Sequence, residues 1–269
     1  EKYRKPGTII SSNTSGIPIN KMISDRSEDF CKHFCGTHFF NPPRYLKLLE
    51  IIPSQKTNSD LISFLMSYGE KFLGKTTVLC KDTPAFIANR IGIAGIAALF
   101  KLSEELEMSV EEIDSLTGPI IGRPKSATFR TSDLVGLDTL NIVAEGVYNN
   151  CLDDEQRSIF NLPSFIQKML TNKWLGDKTK QGFYKKDRDK KGNRTILALN
   201  LKSFEYSEKK KPKFETIGKA KKINQLTKRL NILIEGTDKA AVFYKKMFAF
   251  MFSYVAHRVP EITEDIYKI

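Results

Sequence analysis

No run in this sequence approaches the ~18 apolar residues that a membrane-crossing helix needs. The opening Glu1-Lys2-Tyr3-Arg4-Lys5 does not read as a signal peptide. Four cysteines among 269 residues are too few for a disulfide scaffold and fit reduced thiols in a cytoplasm. Phosphate-cradling glycine loops are missing as well. Neither G-x-x-x-x-G-K-[ST] nor G-x-G-x-x-G occurs, so no Walker loop and no complete dinucleotide site can be read from the chain. Acidic residues are scarce in one window. From 185 to 229, 16 Lys/Arg face 5 Asp/Glu, which puts +11 of the net +12 there. A Lys-rich polar stretch of this kind is expected to be a solvated linker, spanning 187–225. As a nucleic-acid face it offers only Phe204, Tyr206 and Phe214 for stacking and no recognisable module, so no nucleic-acid partner is expected. With 41% hydrophobic residues the chain can bury a sizeable core and is not a disordered polymer.

Short apolar runs alternate with helical spacing in the first part. Residues 7–12, 36–40, 46–52 and 76–80 read as short strands, and 60–72 carries its apolar residues at helical intervals. Strands alternating with helices predict an α/β unit over 1–83. From 84 onward the texture is mainly α. Pro84 suits a first helical turn, and 86–102 reads as a buried helix. Ser109-Val110-Glu111-Glu112 resembles a capped start, and 133–148, 164–170 and 240–256 read as further helices. Phe86-Ile87-Ala88-Asn89-Arg90 is echoed by Tyr254-Val255-Ala256-His257-Arg258, 168 residues later.

Four groupings carry possible chemistry. His38 ends one predicted strand and Glu50 lies in the next, so a tight turn through Asn41-Pro42-Pro43 can set them side by side. A histidine steered by a carboxylate is a competent general base; the same pair also serves as a buried structural contact. Cys31, His33, Cys35 and His38 are metal-ligand types within eight residues, but alternation along a strand assembles no tetrahedral site, and no metal is expected. Ser15 follows a strand and turn. Asn89 lies in an apolar helix where its amide needs a partner. The loop from Gly176 to Gly182 presents Lys178, either to a phosphate or simply to solvent.

Seven collinear stretches together resemble the L-3-hydroxyacyl-CoA dehydrogenase family. They are Ser12 to Ser15, Gly36 to Pro42, Leu49 to Ile52, Lys81 to Arg90, Gly118-Pro119 with Gly122-Arg123-Pro124, Asp133 to Asp138, and Lys178-Thr179 with Gly182-Phe183-Tyr184. The resemblance implies the C-terminal part of a Rossmann-type NAD-binding domain, lacking its glycine-rich loop, over 1–83. It implies an all-α dehydrogenase C-terminal domain over 84–186 and the truncated start of a second helical repeat over 226–269. It further implies NAD-dependent oxidation of a (S)-3-hydroxyacyl-CoA to the 3-oxoacyl-CoA in fatty-acid β-oxidation. In that chemistry His38 is the base, Glu50 its orienting carboxylate, and Ser15 and Asn89 substrate contacts; Ser15, Asn41 and Lys178 contact the cofactor. Two departures from the family pattern point to a piece of a longer, multifunctional polypeptide. One is the missing glycine loop, and the other is the echo at Tyr254 to Arg258, which is similar to the second helical repeat of long members and has His257, not expected to be catalytic, in place of Asn. An enoyl-CoA hydratase domain is the expected neighbour, with weak NAD binding and no activity for this chain alone. A homodimer through the helical domain is implied by the same resemblance. A short-chain 3-hydroxybutyryl-CoA dehydrogenase and a non-catalytic helical interaction domain are the alternatives.

Overall fold

A computed structural model describes residues 1–188 and 192–269. The early apolar runs form a four-stranded sheet in the order β1 (Ile10–Ser12), β2 (Phe34–Phe39), β3 (Leu48–Pro53), β4 (Thr76–Leu79). Helices α1 (Ile19–Met22) and α2 (Glu28–Lys32) lie between β1 and β2 in sequence, and α3 (Ser59–Lys71) lies between β3 and β4. The β1/β2 and β3/β4 pairs are parallel, whereas β2 and β3 run antiparallel. Alternation along the central strands feeds two cores, because successive side chains point to opposite faces. Phe34 and Ile52 join Ile19, Ile23, Cys31 and Phe86 on one side. Cys35, Leu49 and Ile51 join Leu61 of α3 on the other.

These elements belong to one compact unit, Glu1–Gly92 with Asn149–Leu152 and Ser253–Ile269. The segment over 226–269, expected to open a second repeat, is divided between the two units, and its end belongs to this first one. Ile262 enters the β-sheet core and its carbonyl accepts the Lys81 N–H at 3.1 Å. The two echoed stretches also meet here. The fully buried Arg90 donates from Nε to the Tyr254 hydroxyl at 2.8 Å, and Glu261 pairs with both Arg90 (3.1 Å) and Arg258 (2.8 Å). A buried guanidinium needs such partners to offset its lost hydration. His257 is exposed, its Nδ1 2.7 Å from the Ser253 carbonyl.

The second unit comprises Ile93–Tyr148 with Asp153–Phe252. Helix α4 (Ala88–Glu105) leads into it, followed by α5 (Val110–Leu116), α6 (Phe129–Val135), α7 (Leu137–Asn150) and α8 (Ser164–Thr171). Ser109 and Glu112 form the full reciprocal capping box that starts α5. The single helix expected over 133–148 is instead broken into α6 and α7 at Gly136, whose φ of 96° a side-chain-bearing residue rarely adopts. Phe100, Phe129, Phe165 and Phe183 form an aromatic core with neighbouring centroids 4.5–6.2 Å apart.

The expected linker is folded. Residues 189–191 of that window lie outside the described residues. The rest form an antiparallel sheet of β5 (Tyr184–Arg188), β6 (Arg194–Leu199) and β7 (Tyr206–Glu208), followed by α9 (Glu215–Ala220), α10 (Leu226–Glu235) and α11 (Lys239–Arg258). Ala198, Leu199, Ile217 and Ala220 are buried, so the lysines decorate a segment with its own apolar inner face. Among the described residues no helix is long and apolar enough to cross a membrane.

Candidate active site

The antiparallel pairing of β2 with β3 sets His38 directly opposite Glu50. Their side chains meet, with His38 Nδ1 and Glu50 Oε2 2.6 Å apart. Glu50 is fully buried and His38 is 5% exposed. A buried carboxylate is tolerated only when hydrogen-bonded, and Glu50 has three N–H donors. Its other oxygen, Oε1, accepts the backbone N–H groups of Ile87 (3.1 Å) and Ala88 (2.8 Å), at the start of α4, where the helix dipole also favours negative charge. Those amides face Glu50 because Ala85 (φ 64°) and Phe86 (φ 52°) both take left-handed backbone.

The carboxylate fixes the imidazole tautomer. An ionised Glu50 can only accept, so Nδ1 carries the hydrogen and Nε2 keeps the lone pair. No described residue hydrogen-bonds Nε2, and the ring is held between Phe40 (centroids 4.4 Å) and Phe86 (5.8 Å). Cys80 lies beside the same carboxylate. Burial, then the charge of Glu50 and a hydrogen bond with it, pushes its thiol well above the usual range, so it stays a neutral S–H.

Ser15 and Asn89 are brought together: the Asn89 amide donates to the Ser15 carbonyl at 3.3 Å. Asn89 follows Ala88, whose N–H reaches Glu50. The Asn13 side chain accepts from the N–H of Phe39, next to His38, which ties the post-β1 loop to the end of β2. The Ser15 hydroxyl and the Asn41 side chain are exposed and hydrogen-bond no described residue, which leaves both free for a ligand. Lys178 belongs to the second unit, where both oxygens of Asp138 engage its ammonium at 2.7 and 2.9 Å. Sequence reasoning missed the Ile87 and Ala88 amides, the left-handed turn and the tilted contacts of the Phe40 and Phe86 rings with His38. Backbone donors leave no side-chain signature, and the turn itself is closed by a backbone bond, from the Phe86 N–H to the Thr83 carbonyl at 3.0 Å.

The cysteine–histidine grouping does not converge. Cys31 lies in helix α2, not on a strand, and its thiol reaches the Ile23 carbonyl; Cys35 reaches the Ile52 carbonyl; His33 contacts Asp29. Among the described residues no three His, Cys, Asp or Glu side chains are gathered to hold a metal ion.

Residues 1–83 match the NAD-binding domain of 3-hydroxyacyl-CoA dehydrogenase, and residues 86–186 match the C-terminal domain of the same enzyme. The chain belongs to the 3-hydroxyacyl-CoA dehydrogenase family.

Over 269 residues, all of this chain, it is 45% identical to a Bacillus subtilis (strain 168) protein described as a probable 3-hydroxyacyl-CoA dehydrogenase, of which it covers 33%. It is 27% identical over 268 residues, 99% of the chain, to a Rickettsia prowazekii protein provisionally described as a fatty acid oxidation complex trifunctional enzyme, of which it covers 36%. The crystal structure of (S)-3-hydroxybutyryl-CoA dehydrogenase from Ralstonia eutropha superposes with a TM-score of 0.58 at 31% identity, over 65% of this chain and 59% of that one. The chain thus spans about a third of the length of these two relatives. Within the family's NAD-binding domain, Ser15 and Asn41 have free polar groups that fit a dinucleotide's hydroxyl and amide functions. The Lys178 ammonium is already engaged by Asp138 and fits less well.

Proposed function

We propose that this chain carries the catalytic base of an NAD-dependent dehydrogenase that oxidises a (S)-3-hydroxyacyl-CoA to the 3-oxoacyl-CoA in fatty-acid β-oxidation. The observation that supports this is a His38 whose Nδ1 is tied to a buried Glu50 while Nε2 stays unpaired. His38 takes the C3 hydroxyl proton at Nε2, and Glu50 stabilises the imidazolium that forms and keeps the ring in register. The Ser15 hydroxyl and the Asn89 amide hydrogen-bond the substrate oxygen and orient it toward His38. Bound NAD supplies the hydride acceptor. Ser15 and Asn41 contribute to holding the cofactor, with Lys178 as a weaker candidate because of its Asp138 partner.

Likeness to the Ralstonia enzyme favours a second reading of the substrate, a short 3-hydroxybutyryl chain. A series of acyl-CoA chain lengths assayed by NADH absorbance separates the two. The trifunctional relative supports fusion to further domains; the reading adds an enoyl-CoA hydratase among them and a cytoplasmic homodimer formed through the helical residues. The test is His38→Ala in the full-length protein. NADH formation should fall by about two orders of magnitude or more, in a protein that still folds but with a lowered unfolding midpoint, because the buried Glu50 loses one of its donors. Turnover retained in that variant removes His38 from the mechanism.

A further inference from the structure

The basic segment has no part in that reaction, yet its fold builds a cavity of about 680 Å³ lined wholly by residues of the second unit. One wall is a face of the β5–β6 sheet. Register sets Lys186 opposite Ile196, and the Lys209 N–H donates to the Ile196 carbonyl at 3.2 Å, so two lysines flank one isoleucine. Lys209 Nζ also lies 4.9 Å from the centre of the Tyr184 ring, two residues before Lys186 on the same strand face. Lys125, Lys180 and Lys211 complete the rim.

Seven basic side chains line this cavity against three carboxylates. The carboxylates are engaged. Asp177 is held in two hydrogen bonds by Arg130, at 2.5 and 2.7 Å. Asp114 accepts three backbone N–H groups and the Tyr184 hydroxyl. Glu111 accepts the Lys210 N–H. Lys125, Lys180, Lys186 and Lys211 have no ion-pair partner among the described residues. Like charges gathered within about a Debye length, ~10 Å at 0.1 M salt, repel one another, and a multivalent anion relieves that repulsion. The volume lies within the roughly 300–1,000 Å³ typical of small-molecule sites. Flexible lysines serve phosphates as point charges, and the Tyr184 ring with Ile196 adds an apolar patch.

We propose that this cavity binds a polyphosphate group, two or more linked phosphates borne by a nucleotide or by a free inorganic chain. The test is calorimetric titration of the chain with inorganic tripolyphosphate at about 50 and about 200 mM salt. Saturable one-to-one binding is expected, weakened at least about fivefold at the higher salt. The triple variant Lys125→Gln, Lys186→Gln, Lys211→Gln changes only exposed side chains. It should bind at least about tenfold more weakly, because three cationic contacts to the anion are lost together. The corresponding Lys→Arg triple should retain binding. ATP binding more tightly than tripolyphosphate marks a nucleotide site; equal affinity marks the phosphate chain alone; either result upholds the site. No saturable binding at low salt, or equal binding by the Gln triple, overturns the proposal. So does a short DNA duplex that binds tighter than tripolyphosphate and competes with it, which would make the face a nucleic-acid surface.

Discussion

Replacing Glu50 by Gln tests the dyad at the level of one proton. In the wild type, Oε2 meets His38 Nδ1 at 2.6 Å and Oε1 accepts from Ile87 and Ala88 at 3.1 and 2.8 Å, all at a fully buried position. A glutamine cannot satisfy both ends as an acceptor. The two backbone amides only donate, so the side-chain oxygen must face them; the opposite orientation leaves buried donors facing donors, at about 1–3 kcal/mol each. The glutamine NH₂ then points at His38 and needs an acceptor, and the imidazole proton must move from Nδ1 to Nε2. Three charge-assisted bonds become neutral ones, a loss of about 1 kcal/mol apiece. Part of that is offset because an amide costs less to bury than a carboxylate. The net expectation is a folded protein destabilised by about 1–3 kcal/mol in urea unfolding.

The chemical loss is far larger, because Nε2 now holds a hydrogen in place of its lone pair. Removing a positioned base costs about 10²–10⁴ in rate, and the same carboxylate-to-amide change beside other catalytic histidines costs about 10⁴ through the wrong tautomer. Long-range ¹⁵N–¹H correlation spectra of the His38 ring read the tautomer directly, without depending on turnover, and NADH formation by the full-length protein reads the rate. A Glu50→Gln protein whose His38 keeps its hydrogen on Nδ1 refutes the reasoning. So does turnover within about threefold of wild type, since tautomer loss must cost at least 10². Glu50→Leu gives the contrast: both backbone amides lose their acceptor, and stability should drop by about 2–6 kcal/mol.

The turn that aims those amides makes its own prediction. Ala85→Val places a β-branched side chain in left-handed backbone and should cost about 2 kcal/mol, while Ala85→Gly should stay within about 1 kcal/mol of wild type in thermal unfolding; a Val variant as stable as the parent would contradict the turn's strain. In the second unit, burial raises the Asp133 carboxyl to about 7, against the downward pull of hydrogen bonds from the Phe183 and Tyr184 N–H groups. The folded state therefore holds this proton more tightly than the unfolded chain. Its contribution to stability is complete below pH ~4 and is lost as pH rises through about 7, a span of about 4 kcal/mol at 1.36 kcal/mol per unit. Asp133→Asn should flatten that fall in urea unfolding between about pH 4 and pH 8, and parallel slopes for the two proteins would refute the assignment. Lys178→Met removes an ion pair whose side chains are 43% and 41% exposed and should cost less than about 1 kcal/mol. A larger loss would make the Lys178–Asp138 contact a structural element of the loop.

What the sequence made legible follows from which interactions leave a side-chain signature. The apolar runs that contain His38 and Glu50 read as short strands, and the Pro42-Pro43 turn limits the connection, so their juxtaposition on β2 and β3 could be reasoned from the chain alone. The start of α4 could not. Pro84 suits a first helical turn, but the chain reverses through left-handed Ala85 and Phe86, two residues whose types favour ordinary helix, and the helix begins only at Ala88. The basic window was misleading for the opposite reason. Its net charge hides the buried Ala198 and Leu199 on the inner face of β6, because lysine stems can cover a surface while their ammonium groups stay in water. These two misreadings weigh differently on function. The basic window bears on an added site, whereas the Ala85–Phe86 reversal bears on the dyad: a helix continuing back through Phe86 would bond its Ile87 and Ala88 N–H groups to its own preceding turn or turn them from Glu50. A carboxylate without those donors would be buried with only His38 and the Cys80 thiol beside it. The motif from Asp82 to Arg90 is therefore best understood as a reversal that presents backbone donors, with the helix as its consequence.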